Sequence, residues 1–230
     1  QALNLRSQLT HITAADALST PIKGILGGEL HATGTFSRPI VRWQLNTENA
    51  ASSGSLKLIP STQQNTTLVL ENGIIQPKHG GILNLSAQVD MFDTQKWRAQ
   101  LQTQAFNPNK LYPDFPVGKI TGNIKLNGEL ARNVLHSELT FAPSVLSGAP
   151  LAGNGKITYE NNHLNQADLA IYLGENRVLT RGAFGKKGDA LALDIHAPQL
   201  DLFGFGLRGL LTAKGNVINT ADGFAALEAK

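Results

Sequence analysis

Apolar and polar residues alternate with a period of two through most of this chain, a pattern that suits strands with one greasy and one wet face. Ile82 to Val89 places Leu83, Leu85, Ala87 and Val89 on one side. Trp97 to Thr103, Ile120 to Leu130, Glu138 to Phe141, Asp168 to Leu173 and Ala190 to Ile195 read the same way. Turn chemistry falls between such segments at Glu71-Asn72-Gly73, Gly80-Gly81, Asn127-Gly128, Glu160-Asn161-Asn162 and Gly185 to Asp189. These short connections predict antiparallel hairpins and meanders. Helical signal is confined to Thr13 to Leu18 and Pro108 to Tyr112, each about one turn.

Composition supports the same class. Only 16% of the 230 residues are charged, 23 are glycine and none is cysteine. A chain of this length can bury a core without disulfides or metal, and the missing thiols exclude thiol catalysis and thiolate metal sites. Absence of cysteine also suits an oxidising compartment. The net charge of +3 comes with no basic run, so no nucleic-acid partner is expected. The longest apolar run is Leu169 to Leu173, too short to span a membrane. The chain opens at Gln1 without a signal-peptide pattern, which predicts a mature or excised piece whose anchor lies elsewhere.

An internal repeat carries the most information. Gly28-Glu29-Leu30-His31-Ala32-Thr33-Gly34 recurs as Gly122-Asn123-Ile124-Lys125-Leu126-Asn127-Gly128, and again as Gly209-Leu210-Leu211-Thr212-Ala213-Lys214-Gly215. Upstream of each lies a comparable stretch: Ala14 to Leu18, Phe106 to Leu111 and Ala197 to Leu200. The predicted organisation is the end of one repeat over 1–21, two units of about 90 residues over 22–115 and 116–208, and the start of another over 209–230.

Alternating segments number very roughly twenty, more than an ordinary open sheet holds before it curls, closes or splits. A β-sandwich would bury every apolar face. Large core residues are scarce, however, with nine Phe, two Trp and one Met. The alternative is an all-β fold in which one long antiparallel amphipathic sheet curls into a trough with an apolar interior and continues from repeat to repeat.

Gly188-Asp189-x-Leu191-x-Leu193-x-Ile195-x-Ala197-Pro198-x-Leu200, followed by Phe203-Gly204-Phe205-Gly206 and Gly209-x-Leu211-x-Ala213-x-Gly215, resembles TamB and its AsmA-like relatives. A second copy of the pattern is Trp97-x-x-x-Leu101, Asn107-Pro108-x-x-Leu111, Pro113-x-Phe115-Pro116 and Gly118-x-Ile120-x-Gly122. Between them fit Gly153-x-Gly155-x-Ile157, Asp168-Leu169 and Gly182-x-Phe184-Gly185. The resemblance is strongest from about Trp97 to Val217. It implies a periplasmic section of a β-taco bridge anchored in the inner membrane of diderm bacteria by a segment outside this chain. It also implies phospholipid as cargo, the outer-membrane barrel TamA as partner of the full-length protein, and outer-membrane protein precursors as possible clients.

No catalytic constellation is legible, and neither enzyme activity nor a cofactor is expected. His11, His31, His79, His136, His163 and His196 never fall at metal-binding spacing. Asp194-x-His196 would share a strand face, which suits a proton relay less well than a wetted outer face. Asp90, Asp93 and Asp114 sit beside turns, where carboxylates are usually solvated. Gly204 to Gly209 spells G-x-G-x-x-G, but that fingerprint needs a following helix, whereas Leu210 to Val217 alternates as a strand. Lys186-Lys187 reads as a solvated hairpin tip.

One strand parity collects Leu83, Leu85, Val89, Leu101, Ile120, Ile124, Leu126, Leu139 and Phe141. It continues through Leu169, Ile171, Leu173, Leu191, Leu193, Ile195, Leu211 and Val217. From the residues alone, an ordinary core is the better reading of these side chains. The resemblance makes them the lining of a lipid groove. Two further readings are a scaffold or chaperone-like module that pairs its strand edges with outer-membrane β-strands, and a sugar-binding sandwich with Trp43 and Trp97 as stacking platforms.

Overall fold

The computed structural model describes residues 1–13, 25–60, 65–92, 95–219 and 225–229. Among them are fifteen strands: β1 (Ala2–Thr13), β2 (Ile25–Thr35), β3 (Arg38–Asn46), β4 (Ala50–Pro60), β5 (Thr66–Pro77), β6 (Ile82–Asp90), β7 (Lys96–Phe106), β8 (Gly118–Glu129), β9 (Val134–Leu146), β10 (Ala149–Glu160), β11 (His163–Leu173), β12 (Asn176–Phe184), β13 (Ala190–Ala197), β14 (Leu211–Asn219) and β15 (Ala225–Ala229). All belong to one sheet in strict sequence order, and each strand pairs antiparallel with the next. The meander curls into a trough and its first and last strands do not pair.

Fifteen strands replace the expected twenty or so because most run for nine to thirteen residues, long enough to absorb neighbouring short segments. Two expected turns lie inside strands. Glu71-Asn72-Gly73 is a bulge within β5, with Asn72 at φ 51° and the pairing to β6 shifting between Leu70 and Gly73. Asn127-Gly128 lies in β8, paired with His136 and Leu135; the chain turns one step later, at Leu130 to Asn133. Of the two short helices expected, Pro108–Lys110 is a 3-10 turn. The other, Thr13 to Leu18, lies outside the described residues except for Thr13, which ends β1.

The repeat has a strand count. Its three glycine-bracketed copies fall on β2, on β8 and at the entry to β14, so one period is six strands. The loops before β8 and β14 each carry a 3-10 turn, at Pro108–Lys110 and Leu200–Phe203. In a meander every odd-to-even connection lies on one rim of the sheet, so both loops share that rim.

A single layer covers little of itself. The accessible surface is 14341 Å², whereas a compact monomer of this mass exposes about 10,000 Å². Among the described residues no second sheet covers the apolar face, which removes the sandwich. Among the described residues, the buried apolar side chains of Leu26, Pro77, Phe106, Leu151, Leu173 and Ala197 lie near the rim that carries the 3-10 loops, whereas Ala167 does not. There Asn176, 1% exposed, fastens the second loop: its Nδ2 donates to Gln199 O (2.8 Å), and its Oδ1 accepts from Gln199 N (2.9 Å).

The opposite face is wet and cross-linked between neighbouring strands. Arg177 meets Asp194 at 2.8 Å, Lys156 meets Glu138 at 3.8 Å, and Arg6 meets Glu29 at 2.7 Å. Lys57 pairs with Glu71, and Gln100 donates to Asn123. Such exposed pairs add little stability singly, but they keep this face from shedding its water.

Candidate functional site

Residues directly opposite in an antiparallel ladder share a face, so the register can be followed from strand to strand. One row runs Leu85, Leu101, Ile124, Leu139, Gly155, Leu169, Thr180, Leu193 and Gly215 from β6 to β14. The next runs Leu83, Thr103, Gly122, Phe141, Gly153, Ile171, Val178, Ile195 and Ala213. A third carries Val89 and Trp97 to Gly128, while Ala87, Ala99, Leu126, Leu191 and Val217 form another. Ile120, Leu173 and Leu211 share the same parity nearer the loop-bearing rim. All seventeen residues singled out by alternation therefore lie on one continuous face. It extends back through Leu70, Leu56, Val41 and Ala32 to Leu5 on β1.

This floor is smoothed by large residues lying over glycines. A Cβ on Gly155 would fall 2.5 Å from Leu169 Cδ1, one on Gly122 would fall 3.1 Å from Phe141 Cδ1, and one on Gly54 would fall 2.4 Å from the Trp43 ring. The scarcity of bulky residues thus has a local cause: an inward glycine on one strand makes room for a neighbour's side chain. Trp43, whose Nε1 donates to Ser52 Oγ (3.1 Å), and Trp97, which lies over Gly128, are parts of this floor. Sequence alternation alone did not reveal this pairing, although the glycine-bracketed heptads were its trace.

Near the loop-bearing rim the face deepens into an apolar chamber of about 560 Å³, with Ile120, Phe141, Leu151, Ile171 and Leu173 among its lining.

The described chemical candidates lie at separate places on the sheet. Asp194 accepts from Arg177 and lies 4.0 Å from Lys214, and the Arg177 hydrogen bond holds its carboxyl below the usual range. Asp90 accepts from Thr67 Oγ1 at the end of β6, while Asp114 lies in the loop after β7 on the opposite rim, where its hydrogen bond raises the Tyr112 pKa. Asp93 lies outside the described residues, as does the side chain of His11. Gly204, Gly206 and Gly209 all have positive φ and lead into β14, so the glycine fingerprint opens a strand. Among the described residues no group of three His, Asp or Glu could hold a metal ion.

The structure brings together one pair that sequence spacing hid. His163 Nε2 lies 2.7 Å from Asp189 Oδ2, linking the β10–β11 and β12–β13 turns, and Asp189 Oδ2 also accepts from Lys186 N at 2.6 Å. The backbone hydrogen bond from Lys186 is the main reason that the Asp189 carboxyl is held below its usual range, with burial opposing it and His163 adding to it. No nucleophile completes the pair, so it acts as a clasp. A depressed carboxylate contributes stability that is fully present above its unfolded pKa and is lost as pH falls through the lower folded value. In Asp189→Asn, the loss of melting temperature relative to wild type should shrink as the pH falls below about 4. A loss that persists undiminished at the acid end would contradict the assignment.

Among the described residues, a single-layer antiparallel sheet with one apolar face, not closed into a barrel, defines a β-trough. Residues 59–222, well over half of the chain, match the family model described as TamB, N-terminal domain, and the chain belongs to that family. No curated protein and no solved structure matches it. Among the described residues no helix is long and apolar enough to cross a membrane.

Proposed function

We propose that this chain is a non-enzymatic, periplasmic section of an intermembrane bridge that shields phospholipid acyl chains along its apolar face. Family membership supports a role in outer-membrane assembly or lipid transport at the level of the family. The observation that carries the finer reading is the uncovered apolar face itself, continuous from β1 to β14 with no second layer upon it. Shielding a 16-carbon chain there is worth on the order of 10 kcal/mol at about 0.8 kcal/mol per methylene. A floor built from rows of similar medium-sized side chains offers no single deep well, so a chain can slide. At the level of the whole protein, the reading places the outer-membrane barrel TamA at the far end of the bridge.

A photo-crosslinking residue at Ile124 or Leu193 should capture acyl chains in cells, whereas the same residue at Lys125 or Asp194, on the wet face, should not. Capture of protein alone from all four positions would defeat the lipid reading. The alternative is a scaffold for outer-membrane β-barrel assembly that works through exposed strand edges. It expects crosslinks from edge strands to barrel precursors, with normal lipid movement when the apolar face is made polar.

A further inference from the structure

Two loops on the same rim, 107–117 and 198–210, lean over the apolar face and meet, although Phe115 and Phe205 are far apart in the chain. Their rings stand edge to face with centroids 5.8 Å apart, and Tyr112 extends the row at 5.4 Å from Phe115. Pro116 packs against Gly204, where an added Cβ would lie 3.0 Å from Pro116 Cδ. Beneath this contact lies the 560 Å³ chamber, with Phe115, Pro116, Phe203 and Phe205 as its roof and β8 to β11 as its floor.

We propose that this roofed chamber is a site for an acyl chain, threaded end-on along the trough while the polar head group stays outside. This rests on the reading of the apolar face as an acyl-chain path. Every lining side chain is apolar, so neither a head group nor a water would find the hydrogen-bond partners that burial demands. The chamber is open along the trough and lined throughout by apolar side chains, so a run of methylenes finds apolar contact along its length. The floor continues into the open face through the row of Phe141, Ile171 and Ile195, which gives a chain a way in and out without leaving apolar contact.

The roof also carries a mark of selection for position. Phe205 stands at φ 56° and is 68% exposed. A bulky residue in the left-handed region is strained. Neither intrinsic preference nor burial explains its place; contact with Phe115 above the chamber does. The Asn176–Gln199 hydrogen bonds fasten the base of the same loop, so the ring is held over the trough and not left to swing into solvent.

The chain has no native cysteine, so single thiols can report on the chamber. Ile171→Cys places one under the roof, and Leu85→Cys places one on the open face of β6. Labelling of the full chain by a water-soluble maleimide is followed with and without palmitate, in the native background and with Phe115→Ala and Phe205→Ala together. Palmitate should slow labelling at both positions, and removal of the two rings should restore labelling at position 171 at least tenfold while leaving position 85 protected. If the ring substitutions leave position 171 unchanged while palmitate still protects position 85, the roofed site is wrong and the open groove stands. Protection at neither position overturns both. Leu146→Cys, at the chamber's edge, gives the same readout should Ile171→Cys fail to fold.

Discussion

Leu173→Ala is expected to destabilise the protein by about 3–5 kcal/mol, whereas Leu193→Ala, the same truncation on the same face two strands away, should cost about 1 kcal/mol. Leu173 is 0% exposed and lies beneath the loop-bearing rim, so its loss opens a void that surrounding chains cannot collapse into. Leu193 is only half-buried on the open floor of β13, where truncation removes some apolar contact and leaves water to fill the space. In a sandwich the two positions would be equally enclosed and equally costly. Denaturant titration of both variants, with unchanged slope as the check that the unfolded reference is the same, separates the two architectures. Equal losses of several kcal/mol would contradict a single open layer. Because a whole domain is stable by only about 5–15 kcal/mol, the Leu173 variant should also melt well below wild type.

A second large effect should come from a glycine. At Gly182, φ is 131° and an added Cβ would lie 2.1 Å from the backbone oxygen of Ala190 on the paired strand. Backbone cannot yield without opening the β12–β13 ladder, so Gly182→Ala should cost about 2–4 kcal/mol. Gly155→Ala is the control. Its nearest obstacle is Leu169 Cδ1 at 2.5 Å, the free end of a flexible side chain, and rotation of Leu169 should hold the cost to about 1 kcal/mol. Thermal unfolding of the two variants tests this order, and a Gly155 variant as damaged as the Gly182 one would contradict the account of how large side chains lie over small ones.

Much of the sheet was legible because alternation is a direct image of the pleat. Leu83, Leu85, Ala87 and Val89 share a face for the reason that they sit two apart, and the register then carries that parity across the sheet without a break. The three glycine-bracketed heptads fall on strands six apart, at β2, β8 and the entry to β14. Local turn chemistry was less reliable. Asn72 adopts positive φ as a hairpin residue would, yet it serves a bulge within β5, because the same left-handed conformation that reverses a chain can also absorb one extra residue. Asn127-Gly128 has the letters of a turn but is held extended by pairing on both sides, to Arg98 and Trp97 on β7 and to His136 and Leu135 on β9.

What remained hidden depends on contacts distant in the chain. Phe115 and Phe205 lie in corresponding loops before β8 and β14, yet only the curl of the sheet and the reach of the two loops place their rings together. His163 and Asp189 likewise belong to different hairpins and meet because consecutive even-to-odd turns are neighbours on one rim. The alternative of an ordinary core could not be dismissed from sequence, since parity defines a face without saying what covers it; the extended surface and the few buried side chains decide that question.

The central claim, that this uncovered face carries acyl chains, is tested most directly by solvent extraction of protein purified without detergent, followed by mass spectrometry for phospholipid. The wild-type chain should carry diacyl phospholipid, and a variant combining Leu101→Asp, Ile124→Asp and Leu139→Asp, three residues in register across β7, β8 and β9, should carry none while keeping its strand signal. Lipid-free wild-type protein, or equal lipid on the folded triple variant, would contradict the account.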